Sequence, residues 1–202
     1  FISENSGKIN ISIAHTTADY DTAKEAISRG ASQLTHMFNA MPPLTHRAPG
    51  PIGAAADDDH CMAELICDGI HVHPAVVRTA FKLFGDDRII LISDSMRATG
   101  MEDGEYDLGG QKVIVRGNLA TLEDGTIAGS ATNLMDCVRI AVKNMEIPLA
   151  SAVKCAAVNP ARAIGTIDNY GTLDAGKFAN IVLLDKDLAI KQIFRHGEPV
   201  TD

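Results

Sequence analysis

Gln33-Leu34-Thr35-His36-Met37-Phe38-Asn39-Ala40-Met41 is a short apolar run that carries one histidine and leads directly into a turn rich in proline. Residues 33–38 predict a β-strand, because a brief apolar run bounded by turn signals is typical of a buried strand. His36 then lies near the strand end, and Asn39 and Ala40 open the loop behind it.

The segment before this stretch predicts a strand–helix–strand unit. Residues 8–14 alternate apolar and polar side chains, which favours a strand ending at His15. Thr22 and Glu25 fit a capping box at the start of a helix, and Gly30 can end it. A helix between two strands predicts that the strands are parallel.

The segment after it repeats the pattern. Residues 39–53 hold four of the eight prolines and predict a long loop. Residues 61–67 predict a third strand that leads towards His71, followed by a helix from 74 to 84. Residues 88–92 form a continuous apolar run that predicts a buried parallel strand ending at Asp94.

The spacing of apolar residues changes in the remainder of the chain. Glycine-rich residues 104–129 predict a β-hairpin excursion. Helical patterns follow at 134–145 and 149–158, and a further short helix starts at Pro160. The tail predicts antiparallel strands at 180–185, at 190–196 and around Val200. We therefore expect two domains, 1–167 and 168–202, with a small β domain in the second.

Composition narrows the class of protein. The chain has 202 residues, of which 46% are hydrophobic and 22% charged, so a folded core is expected rather than disorder. A net charge of −8 argues against nucleic acid as a partner. No apolar run is long enough to cross a membrane. Cys61, Cys67, Cys137 and Cys155 are expected to be reduced, buried thiols, which indicates a cytoplasmic protein.

Four predicted strands end, in order, at His15, His36, His71 and Asp94. In a barrel of parallel strands the carboxyl ends meet at one mouth, so these side chains are expected to converge. Histidines at rigid strand ends suit a divalent cation such as Zn²⁺, and an aspartate there can move protons. Each residue taken alone has a plainer interpretation: a histidine after a strand is usually a loop residue, and Asp94 can cap the next segment.

These residues also carry a family resemblance. The chain resembles the C-terminal part of the N-acetylglucosamine-6-phosphate deacetylases, a family in the amidohydrolase superfamily. Residues 35–42 are the most specific match, and the closing pattern of the tail occurs across the superfamily. The matching pieces are spread over nearly the whole chain, at 14–16, 35–42, 68–71, 93–94, 127–130, 159–162, 171–173 and 176–182.

The resemblance implies an α/β fold. Residues 1–167 would be the C-terminal half of a (β/α)8 TIM-like barrel of the metal-dependent hydrolase type, with the hairpin inserted at about 104–129. Residues 168–202 would belong to a small C-terminal β-sandwich segment. The implied activity is hydrolysis of the acetamide of N-acetylglucosamine 6-phosphate to glucosamine 6-phosphate and acetate, in amino-sugar catabolism.

The resemblance also implies a role for each site residue. His15 and His36 would hold a divalent metal ion, Zn²⁺ first and Fe²⁺ second. Asp94 would be the catalytic base that takes a proton from water and then protonates the leaving amine. A homodimer is implied, in which Arg47 serves the neighbouring subunit's site. Substrate contacts would come from Asn39, Ala40, Arg47, His71, Ile127, Ala128 and Gly129.

The sequence departs from the family pattern in its metal ligands. The family takes a third metal ligand, a glutamate, from an earlier strand, together with a histidine near the carbonyl. Residues 1–14 supply neither, so an N-terminal half is expected to be missing and the isolated chain to be nearly inactive. Two alternatives stay open: another amidohydrolase, of the dihydroorotase or dipeptidase kind, and a non-catalytic barrel fragment.

Overall fold

A four-stranded parallel sheet organises the chain in the computed structural model, which describes residues 1–201. The strands lie in chain order and pair in parallel, as predicted. They are β1 (Ser12–Ile13), β2 (Gln33–Leu34), β3 (Met62–Ile66) and β4 (Ile89–Ile92).

The first two strands are shorter than the sequence predicted. β2 ends at Leu34 instead of residue 38, because the backbone turns into the left-handed region at His36 (φ 33°) and Phe38 (φ 79°). β1 is likewise confined to two residues, and the chain before it contains a single helical turn, α1 (Ile2–Asn5). The site residues therefore lie on turns that follow the strands, not on the strands themselves.

Helices cover one face of the parallel sheet. α2 (Tyr20–Ser28) is capped by Asp19, whose carboxylate accepts the Thr22 N–H. The predicted capping box was therefore wrong by one turn, because Asp19 meets the free N–H first. α4 (Pro74–Phe84) and its closing Gly85 agree with the prediction.

A helix also occupies the end of the predicted proline-rich loop. α3 (Gly50–Ala56) begins in that segment because a proline in the first helical turn needs no hydrogen bond to its nitrogen. Its residues 50–55 are all buried, so this part of the loop prediction was wrong. The rest of the predicted loop, residues 39–49, contains no helix or strand.

Four helical pieces follow the inserted sheet. The prediction of one helix over 149–158 was wrong in its second half, where the turn widens to a π-helix. Asn159 begins the next piece and donates hydrogen bonds of 2.7 Å to the carbonyls of Asp86 and Ile89, which holds this region against β4. The pieces are α5 (Leu134–Lys143), α6 (Leu149–Val153), a π segment (Lys154–Val158) and α7 (Asn159–Ala163).

Alternation along β3 and β4 gives the sheet two distinct faces. Ala63, Leu65 and Leu91 point into the core beneath the helices. Glu64 and Ile90 point the other way and line a cavity of about 410 Å³. The helix-covered face packs into the hydrophobic core, and the opposite face lines the cavity, which extends to Asp94 at the end of β4.

The core also holds the cysteines. Cys61, Cys67, Cys137 and Cys155 are all free and buried, as predicted. Burial raises the pKa of Cys61, Cys137 and Cys155 to about 12 and that of Cys67 still further. They are therefore inert thiols at neutral pH.

Two antiparallel sheets complete the chain. The predicted hairpin is a three-stranded sheet with its own small cluster of buried side chains. The tail forms a second three-stranded sheet, and Val200 falls just outside its last strand. Among residues 1–201, no helix is both long and apolar enough to cross a membrane. The strands are β5 (Gly104–Leu108), β6 (Gln111–Arg116), β7 (Leu119–Thr121), β8 (Ile181–Leu184), β9 (Ile190–Arg195) and β10 (Glu198–Pro199).

Candidate active site

The carboxyl edge of the parallel sheet carries the residues that the sequence singled out. His15 follows β1, His36 follows β2 and Asp94 follows β4. All three have positive φ, at 42°, 33° and 52°. This conformation costs a side-chain-bearing residue on the order of 1–2 kcal/mol, and such strain collects at functional sites.

His15 and His36 are brought together as a pair. Their ring centroids lie 4.8 Å apart in an edge-to-face arrangement. His36 is 6% exposed, and its Nδ1 is fully buried without a hydrogen-bond partner among residues 1–201. A buried polar atom left unpaired is costly, and a cation would satisfy it. The two imidazoles therefore fit a metal ion.

The pair is not a complete ligand set by itself. Within the described residues, no group of three or more His, Cys, Asp or Glu side chains could hold a metal ion. A catalytic Zn²⁺ usually takes three protein ligands. A further ligand from outside these residues therefore stays a prediction.

Glu64 supports the His36 turn and was missed by sequence reasoning. Its carboxylate accepts the His36 backbone N–H at 3.3 Å and the Gln33 Nε2 at 2.8 Å. Its own carbonyl accepts the Met37 N–H at 2.8 Å. The available signal was a lone charged residue inside the apolar run 61–67, where a charge needs a partner.

His71 is held by a second carboxylate, Asp68, in the turn after β3. Asp68 Oδ2 lies 2.7 Å from His71 Nδ1, and both side chains are buried. Burial raises the pKa of Asp68, but hydrogen bonds from the His71 ring and from the His71 and Ile70 N–H groups outweigh it, so the pKa lies below its ordinary value. Gly69 (φ 79°) permits this tight turn. Asp68 was not predicted as a site residue.

The Asp94 turn is joined to the segment after the inserted sheet. The Ser130 N–H donates to the Asp94 carbonyl at 2.9 Å. Gly129 (φ 65°) packs closely on Met96, because a Cβ there would lie 3.3 Å from Met96 Cβ and would require a small shift. Ile127 and Ala128 precede this contact. The structure therefore brings Gly129 and Ser130 beside Asp94, whose exposed carboxylate has no hydrogen bond in the described chain. Ile127 and Ala128 pair with β7 instead.

Asn39 and Ala40 stiffen the loop after β2. The backbone N–H and the Nδ2 of Asn39 donate to the His36 carbonyl at 3.0 and 3.1 Å. The Ala40 carbonyl accepts the Thr16 N–H at 3.1 Å, which ties this loop to the residue after His15. Both residues thus hold the histidine turns in place beside any role in binding.

Arg47 lies apart from these contacts. It is exposed on the long loop and lines a cavity of about 390 Å³ with Thr17 and Pro42. Its guanidinium forms no ion pair or hydrogen bond with the residues that the structure describes. The structure places it near the His15 strand end but not in the hydrogen-bond network of the site.

The chain is similar to several known proteins. A profile of the amidohydrolase family matches residues 2–200. The N-acetylglucosamine-6-phosphate deacetylase of Bacillus subtilis (strain 168) is 41% identical, over 89% of this chain and 45% of its own length. The N-acetylgalactosamine-6-phosphate deacetylase of Escherichia coli O157:H7 is 36% identical, over 94% of this chain and 50% of its own.

A solved structure gives the same result. The N-acetyl-D-glucosamine-6-phosphate deacetylase from Mycobacterium smegmatis is 41% identical and superposes with a TM-score of 0.93, covering 99% of this chain and 54% of its own. The chain spans about half the length of the curated relatives that it matches.

Proposed function

This chain belongs to the amidohydrolase family, and on that premise we propose that it carries the catalytic part of an N-acetylglucosamine-6-phosphate deacetylase. The reaction is hydrolysis of the acetamide to glucosamine 6-phosphate and acetate, in amino-sugar catabolism. The observation that carries the proposal is the His15–His36 pair, in which the buried Nδ1 of His36 has no hydrogen-bond partner among the described residues.

The proposed fold of the whole enzyme follows from the parallel sheet. Strands β1–β4 are one half of a (β/α)8 barrel, whose other half pairs with the free edges of β1 and β4. The sheet of β8–β10 completes a small β-sandwich with strands from outside this chain. Both free edges, and the cavity that Glu64 and Ile90 line, support this interpretation, because a closed barrel leaves no free edge.

His15 and His36 would hold the metal ion, Zn²⁺ first and Fe²⁺ second, with a third ligand from outside residues 1–201. When bound, the metal supplies Lewis-acid polarisation and lowers the pKa of a water molecule. Asp94 takes the proton from the attacking water and returns it to the leaving nitrogen. An amine is a poor leaving group until it is protonated, so one carboxylate can serve both steps.

The remaining site residues would bind the sugar phosphate. Arg47 suits a phosphate because its planar fork donates two charge-assisted hydrogen bonds, and its lack of an internal partner leaves it available. We propose that it does so across a homodimer, in the neighbouring site. Asn39, Ala40 and His71 bind the same substrate, and Ile127, Ala128 and Gly129 line the pocket. The buried thiols suit a reducing cytoplasm.

Metal analysis combined with an activity assay tests the proposal. The full-length protein is expected to contain bound Zn²⁺ or Fe²⁺ and to release acetate from N-acetylglucosamine 6-phosphate. A protein without bound metal would leave the non-catalytic alternative standing. A protein with metal but without acetate release would favour another amidohydrolase, although no lysine follows any of the four parallel strands, where a carboxylated ligand would lie.

A second sugar belongs in the same assay. The relative from Escherichia coli O157:H7 is named for N-acetylgalactosamine 6-phosphate. Comparing kcat/KM for the two sugar phosphates separates these substrates. We expect the glucosamine derivative to be preferred, and a higher kcat/KM for the galactosamine derivative would reassign the substrate.

A further inference from the structure

The turn after β3 contains a carboxylate that no step of the proposed reaction uses. The Asp68 side chain is 0% exposed, and its Oδ2 lies 2.7 Å from Nδ1 of His71, whose side chain is 7% exposed. Its Oδ1 accepts the backbone N–H groups of Ile70 and His71, both at 2.9 Å. Both oxygens are engaged, so the carboxylate cannot turn away and it fixes the plane of the His71 ring.

This arrangement divides the two ring nitrogens of His71 between protein and ligand. An ionised carboxylate can only accept hydrogen bonds, so Nδ1 must carry a proton. Nε2 makes no hydrogen bond within residues 1–201, and it is not fully buried. Nε2 is therefore the atom that a ligand can reach.

We propose that Asp68 is a positioning residue for substrate recognition. It fixes the ring of His71 and keeps Nδ1 protonated, so that Nε2 is the single atom presented to the sugar phosphate. The identity of the ligand rests on the proposed function, whereas the state of the ring rests only on the contacts of Asp68. Asp68 acts through His71 and does not itself touch the substrate.

The chain offers a matched control for this role. Asp58 forms the same kind of turn, and its Oδ1 accepts the N–H groups of His60 and Cys61 at 2.8 and 2.6 Å. The spacing along the chain is the same as at Asp68, but the structure shows no imidazole nitrogen against the second oxygen of Asp58. A change of aspartate to asparagine preserves the turn at both positions and alters a histidine only at Asp68.

The Asp68→Asn substitution has a defined chemical consequence. The two backbone N–H groups still donate to the side-chain oxygen of the asparagine. Its NH₂ group therefore takes the place of Oδ2 and donates to the ring. Nδ1 of His71 must then accept, and in the neutral ring the proton moves to Nε2. The substitution should invert the tautomer without disturbing the turn.

Nitrogen NMR of the full-length protein with ¹⁵N-labelled histidine measures this directly, and a His71→Gln variant identifies the resonances. We expect a protonated Nδ1 in the wild type and in Asp58→Asn, and an unprotonated Nδ1 in Asp68→Asn. The same protonation pattern in all three proteins would overturn the proposal.

Steady-state kinetics provides the second measurement. We expect Asp68→Asn to raise the KM for N-acetylglucosamine 6-phosphate by on the order of 10-fold and to leave kcat nearly unchanged, with Asp58→Asn resembling the wild type. An equal rise in Asp58→Asn, or an unchanged KM in Asp68→Asn, would contradict the positioning role. If the wild type does not hydrolyse this sugar phosphate, the proposed function fails, and the nitrogen spectra alone then decide the role of Asp68.

Discussion

The strand ends of the parallel sheet differ in how their polar groups are satisfied. After β1, β2 and β4, His15, His36 and Asp94 adopt strained positive φ values. The buried His36 Nδ1 lacks a hydrogen-bond partner among residues 1–201. The Asp94 carboxylate is exposed and makes no hydrogen bond to these residues. After β3, neither Asp68 nor His71 has a positive φ, and the two side chains bind each other.

This contrast separates strand ends whose polar groups are unpaired from a strand end whose polar groups are oriented before any ligand binds. An unpaired, strained residue stores free energy that a ligand can recover, whereas a satisfied pair is already fixed before binding. The open strand ends are therefore expected to respond to the metal and the substrate. The turn after β3 is expected to keep its geometry when a substrate reaches His71 Nε2, and to change mainly on mutation of its own members.

The largest effect should follow removal of the proposed acid–base group, Asp94. Asp94→Asn is expected to lower kcat/KM for deacetylation by about 10²- to 10⁴-fold, because the substituted amide cannot transfer the proton. Metal content should stay nearly the same. The assay uses the full-length protein, and Asp187→Asn, in the turn between β8 and β9, is the control. Retained turnover would show that another group moves the proton.

The metal site gives the next effect. His36→Ala should weaken metal binding by more than the roughly 10- to 100-fold that is typical of groups outside the ligand set. His71→Ala should leave metal affinity close to the wild type, because its ring is bound to Asp68. Competition with a chelator measures both. Equal losses in the two variants would remove the distinction between the open and the closed strand ends.

A smaller effect is expected at Glu64, which holds the backbone N–H of His36. Glu64→Ala should weaken metal affinity by roughly 10-fold through a looser His36 turn. Glu64→Gln should retain most of the affinity, since the amide oxygen can still accept the N–H while the Gln33 side chain turns over. The same competition titration, with the thermal midpoint of the metal-free protein as a control, separates this effect from general destabilisation.

The smallest effect concerns stability in acid. The pKa of Asp68 is lowered from 3.8 in the folded state, so the unfolded chain takes up this proton first as the pH falls. The stabilisation is fully present above about pH 4 and is lost as the pH drops through the folded pKa. Urea unfolding across this range should show a shallower loss of unfolding free energy in Asp68→Asn. Parallel curves for the variant and the wild type would contradict the assigned hydrogen bonds.

Local pattern was enough to predict the order and direction of the parallel strands. The runs at 61–67 and 88–92, with helical periods between the strands, predict parallel pairing without knowledge of the contacts. The helix from Pro74 to Gly85 was predicted because both of its end signals are local. The same pattern placed His15, His36 and Asp94 close to strand ends, although it extended the second strand to residue 38 and the structure ends it at Leu34.

The three-dimensional structure alone decided how those residues are held. Glu64 reaches a backbone N–H that lies 28 residues away, and that contact depends on the register between β2 and β3. The positive φ values and the unpaired Nδ1 of His36 depend on how the turns pack. Residue type and spacing determine which side chains collect at one edge of a sheet. Their pairing and strain are set by contacts distant in sequence, which no local pattern encodes.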